Sequence, residues 1–131
     1  MCMLQKIIEK DVIMDYLVKR TSLTKPQLDT LLISSVNIGL GLNNMILLRD
    51  KGKVTKGSFI RTLKQANNNI EKSLYTIIIL EYLSILEDNN IQNLVKVSRL
   101  LKDISNNKTS LDDLIIALGQ ISHVITNIMK K

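Results

Sequence analysis

A chain of 131 residues with 45% apolar content is long enough to build one domain around its own core, with no metal or disulfide as a staple. A single cysteine excludes an internal disulfide, a single histidine leaves no Cys/His set for structural zinc, and four aromatics are too few for a base-stacking reader of single strands. The formal charge of +6 is unevenly placed: Arg49 to Lys72 holds seven basic and two acidic residues, hence +5 of the total.

The pattern along the chain is helical. Leu4 to about Arg20 reads as a first helix, with apolar residues on more than one face. Thr24-Lys25-Pro26-Gln27 is a start signal for the second. Thr24 is placed to cap, Gln27 to return the capping bond, and Pro26 sits in the first turn, where its missing N–H costs little. That helix is expected to run to about Asn37. Gly39 and Gly41 then weaken helix around Leu40, and a third helix follows from about Leu42 to Arg49. Asp50-Lys51-Gly52-Lys53 reads as a turn, since Gly52 adopts positive φ cheaply.

The longest helix is predicted from Lys56 to about Leu86. Phe59, Leu63, Ala66, Ile70, Leu74 and Ile77 repeat at alternating fours and threes, close to a heptad seam. Tyr75 to Ile79 has strong strand propensity, but the periodicity runs unbroken through it, so helix is preferred. Glu87 to Asn90 is a break. An amphipathic helix is expected from Ile91 to about Ser105, and a loop over Asn106 to Thr109. Ser110 is the expected cap of the last helix. Asp112 and Asp113 lie in its first turn, where the positive helix end favours them. The expected fold class is therefore all-α: a single domain spanning residues 1–131, with five or six helices and one long central helix. The longest apolar run, Leu74 to Leu86, falls short of the ~20 residues of a membrane span. With no targeting signal visible and one cysteine, the expected location is the cytoplasm.

Little in the chain suggests catalysis. Lys56-Gly57-Ser58 has P-loop letters in the wrong order and lacks the earlier glycine. His123 on the last helix has no evident positioned partner for a base. No cofactor or metal is expected, and the chain is not expected to be an enzyme.

The basic segment carries the functional reading. A lysine-bearing turn (Lys51, Lys53, Lys56) leads into a helix with Ser58, Arg61, Lys64, Gln65, Asn68 and Lys72 on successive turns. Lysines neutralise phosphates, and a helix N-terminus with free N–H groups near Gly57 and Ser58 is itself a phosphate site. Arg61, Gln65 and Asn68 are the residue types that contact guanine and adenine edges in pairs of hydrogen bonds. A helix, a glycine turn and a second helix with such residues form a helix-turn-helix outline, with no clear wing after it. The expectation is a duplex-DNA binder, a transcriptional regulator or chromosome-associated factor. The alternative is a helical protein–protein interaction module that binds no nucleic acid.

The run Thr55 to Ala66, with Asn69, Ser73, Tyr75-Thr76 and Tyr82-Leu83, resembles small archaeal proteins of helix-turn-helix or winged-helix type. The resemblance covers about 30 residues of a single-domain length. It implies DNA binding around Lys56 to Asn68.

A long helix with two apolar faces must bury both. Tyr75, Ile79, Tyr82 and Leu86 form a second apolar edge, expected to be the interface of a homodimer.

Overall fold

The structure, a computed structural model, describes residues 3–36, 41–49, 54–86, 89–107 and 111–129. These form seven helices and no strand: α1 (Met3–Lys10), α2 (Val12–Val18), α3 (Lys25–Val36), α4 (Leu42–Leu48), α5 (Lys56–Tyr82), α6 (Asn90–Asn107) and α7 (Leu111–Met129). The glycine turn at 50–53, Gly39, Leu40 and the cap Ser110 lie outside the described residues.

One more helix is found than the upper expectation of six, and a single residue accounts for it. Asp11 takes an extended conformation (φ −127°, ψ 103°) inside the predicted first helix. Its N–H still donates to the Ile7 carbonyl, while its carboxylate accepts the Met14 N–H at 3.1 Å. Asp11 thus ends α1 and caps α2, because a short acid competes with the backbone for local donors. The Thr24–Gln27 capping box forms as expected: Thr24 N–H donates to Gln27 Oε1 (3.1 Å) and Gln27 N–H donates to Thr24 Oγ1 (3.2 Å).

The long helix stops at Tyr82, four residues before the predicted end. Ser84 takes positive φ (58°), the Ser84 N–H bonds back to the Glu81 carbonyl, and the Ile85 N–H to the Leu80 carbonyl. This is the Schellman arrangement, usually built on glycine; a serine at its left-handed position gives little warning in the sequence. From Tyr75 to Ile79 the chain is helical. α6 runs to Asn107, two residues beyond its expected end.

The chain gathers into two compact units, Met1–Leu74 and Tyr75–Lys131, with the boundary inside α5 rather than in a loop. In the first unit α1 packs on α2 and α3, and α3 on α4. Ile33 of α3, Ile46 of α4 and Phe59 of α5 meet in a buried cluster, with Met45 and Val54 at its edge. Beside that cluster lies a buried ion pair. Asp29 Oδ1 accepts the Leu4 N–H at 2.8 Å, and Asp29 Oδ2 faces Arg49 Nε at 3.9 Å. Both charged side chains are more than nine-tenths buried. Asn69, midway along α5, fastens the helix to the turn before α3. It accepts from Ser22 Oγ (2.8 Å) and donates to the Ser22 carbonyl (3.0 Å) and to Gln27 Oε1 (3.3 Å).

In the second unit α6 packs on α7. Leu101 of α6 and Ala117 and Ile121 of α7 are buried. Ile91, Leu94, Val97 and Ile104 of α6 are half-buried. Among the described side chains of α7, Ala117 and Ile121 are buried and Leu118 and Val124 half-buried, whereas Ile115 and Ile125 are exposed.

Two substitutions probe this packing. Phe59→Ala removes the largest side chain of the buried cluster, and urea unfolding is expected to report a loss of about 3–5 kcal/mol. Asp29→Ala leaves Arg49 buried without its counter-charge and is expected to cost a similar ~3–5 kcal/mol. The double change Asp29→Leu with Arg49→Met is expected to recover part of that second loss, because it removes both charges together while leaving the Leu4 N–H without its acceptor.

Candidate nucleic-acid interface

α5 has a buried side and an opposite exposed side. At 3.6 residues per turn, Phe59, Leu63, Ala66 and Ile70 fall on one side. Phe59 and Ala66 are fully buried there, and Leu63 and Ile70 half-buried. Thr55 starts the helix, its Oγ1 accepting the Ser58 N–H at 3.1 Å and its carbonyl the Phe59 N–H at 2.9 Å.

Arg61, Lys64, Gln65, Asn68 and Lys72 are all exposed. They fall within about 100° of arc, centred nearly opposite the Phe59–Ala66 side, and the stretch from Arg61 to Lys72 rises about 16 Å along the helix. The burial of Phe59 and Ala66 is therefore what turns these five side chains outward together.

The other expected residues are placed differently. Lys56 is exposed but sits about 130° around the helix from the centre of that stripe. Ser58 is half-buried, and its N–H, expected to be free for a phosphate, is already taken by Thr55. Lys51 and Lys53 lie outside the described residues. Arg49, counted in the sequence with the outward basic segment, is 7% exposed and paired with Asp29. A guanidinium next to the Ile33–Ile46–Phe59 cluster is held in by that carboxylate, so its charge belongs to the fold. From Lys56 to Lys72 the exposed charges are Lys56, Arg61, Lys64 and Lys72 against Glu71, a net +3.

Two residues of this region escaped the sequence reading. Ile60 is 53% exposed on the outer side of α5, a large apolar side chain beside the cations. Its signal was its place one residue off the Phe59 seam. Asn69 stands one position from Asn68 but points to Ser22 and Gln27, so the two neighbouring amides have separate tasks. Nothing in their shared composition distinguishes them; only the helical angle does.

The expected dimer edge is divided as well. Tyr75, Ile79 and Tyr82 are exposed on α5. Leu86 lies past the Ser84 turn and is buried, 6% exposed, so the helix no longer carries it onto the same edge. Elsewhere, the exposed His123 borders a groove of about 390 Å³ between α6 and α7, with Asn93, Lys96 and Gln120 among its lining. Its Nε2 lies 3.2 Å from Asn127 Nδ2. Among the described residues no three His, Cys, Asp or Glu side chains come together as a metal-binding group, and no helix is long and apolar enough to cross a membrane.

Comparison of the chain with protein-family models, with characterised proteins and with solved structures found no match in any of the three.

Proposed function

We propose that the chain binds duplex DNA through the outer side of α5, as a transcriptional regulator or chromosome-associated factor of the cytoplasm. The observation that carries this reading is the grouping of Arg61, Lys64, Gln65, Asn68 and Lys72 on the exposed side of one helix, opposite its buried side. A major groove about 12 Å wide admits an α-helix, and these are the side chains such a helix presents there. In this reading α4, the turn expected from the sequence at residues 50–53 and α5 act as a helix-turn-helix, with α5 in the groove. Arg61, Gln65 and Asn68 address base edges. Lys64 and Lys72 neutralise phosphates along the groove walls, and Lys56, Lys51 and Lys53 neutralise those near the start of the helix. The resemblance to small archaeal helix-turn-helix proteins points the same way.

A second reading, a helical interaction module, is favoured by a separate observation. The C-terminal part of α5 exposes Leu74, Tyr75, Ile78, Ile79 and Tyr82, and Leu83 just after it is exposed as well. Monomeric proteins rarely show an apolar patch beyond a few hundred Å² without a partner for it. In this second reading the chain binds no nucleic acid, and the cations of α5 are a solvated face.

Duplex-DNA binding measured across a salt series tests the first reading. For four to six neutralised phosphates, a log–log slope of roughly −3.5 to −5.5 is expected. Arg61→Glu with Lys64→Glu is expected to weaken binding at least ~10-fold and to flatten the slope, with circular dichroism unchanged because both side chains are exposed. Absence of binding at low salt, or a double variant that binds like the parent, removes the DNA reading and leaves the interaction module.

A further inference from the structure

We propose that the C-terminal end of α5 and the residue that follows it, from Leu74 to Leu83, are where two copies of this chain meet. The inference stands on the apolar residues alone and holds whether or not the basic side binds DNA.

Leu74, Tyr75, Ile78, Ile79 and Tyr82 are each more than half exposed, Tyr82 most of all at 85%. On α5 they share an arc of about 140°, with Leu83 extending it by a further ~40°. Tyr75, Ile78 and Tyr82 are spaced by three and four, the spacing with which one helix inserts knobs between the side chains of another. The occupant of such a stripe must itself be apolar. From Ser73 to Leu86 the only ionisable side chain besides the two tyrosines is Glu81, so a nucleic acid finds no cation to pair with.

The area points to a second copy. Taking ~200 Å² for a fully exposed large side chain, Leu74, Tyr75, Ile78, Ile79, Tyr82 and Leu83 together present roughly 740 Å². A stable interface takes about 800 Å² from each partner. A two-fold dimer uses the same patch on both sides, so each copy brings the apolar area the other needs. The second unit spans fewer than 60 residues, a size class that often gains stability through association. The stripe proposed here differs from the sequence expectation: it gains Leu74 and Ile78 and loses Leu86.

The test is the mass of the full chain in solution without nucleic acid, by light scattering at micromolar concentration. Twice 14.8 kDa is expected for the parent. Ile79→Glu with Tyr82→Glu is expected to halve that mass while keeping the helical circular dichroism signal, since both side chains point to solvent in the single chain. Because an altered chain can misfold, cross-linking provides a second route. With Cys2→Ser removing the native thiol, Ile79→Cys is expected to give a covalent dimer on mild oxidation. A parent of one-chain mass overturns the proposal. So does a glutamate variant that remains a dimer, or an Ile79→Cys chain that fails to cross-link.

Discussion

The roll of α5 about its own axis is set by two side chains, and the functional reading follows from it. Phe59 enters the cluster with Ile33 and Ile46, and Ala66, two turns on, lets the helix lie close where a larger residue would hold it away. Once those two face inward, Arg61, Lys64, Gln65, Asn68 and Lys72 have no other direction than outward. The hydrophobic contact does not choose a ligand. It chooses which side of a helix a ligand meets, and the polar residues supply the chemistry. A rotation of one residue step, about 100°, would put Arg61 near the buried side and dissolve the grouping.

Charge in this molecule divides into two kinds that composition cannot separate. Arg49 and Lys56 both count as +1 in the sequence. Arg49 is enclosed beside Asp29, where the low dielectric makes the pair interdependent. Lys56 is in water. The same applies to the acids: Asp29 also accepts the Leu4 N–H and so ties the first helix to the third, whereas Asp112 and Asp113 are exposed in the first turn of α7. A tally of basic residues overstates what a polyanion meets, because part of the charge is spent inside the fold.

Much of the architecture was legible because it rests on local rules. The Thr24–Gln27 box, the start of α5 at Lys56 and the helical state of Tyr75–Ile79 follow from capping chemistry and periodicity, both properties of neighbours in the chain. Three features were not legible. Asp11 looked like an ordinary polar position within a helix until its carboxylate was seen to capture the Met14 N–H. Ser84 adopts a conformation its side chain does not advertise. The heptad-like repeat runs from Phe59 to Ile77, but it is buried or half-buried only to Ile70; Leu74 and Ile77 continue the period and remain exposed. Periodicity gives the side of a helix an apolar residue occupies. It does not say whether anything is packed there, because that depends on distant parts of the chain. The same limit explains the candidate site: residue types and helical angles were readable, while the enclosure of Arg49 and the separate duty of Asn69 depended on tertiary neighbours.

Asn69 has a consequence of its own. The joint it makes with Ser22 is directional: the amide offers its oxygen to a hydroxyl and its nitrogen to a carbonyl at the same time. An aspartate would fill the same volume with the same outline and still fail there. It would set a second acceptor, and a negative charge, against the Ser22 carbonyl and the Gln27 side-chain oxygen. The latch between the long helix and the preceding turn is therefore keyed by polarity rather than by shape. A change of a single atom, nitrogen to oxygen, is enough to turn attraction into repulsion.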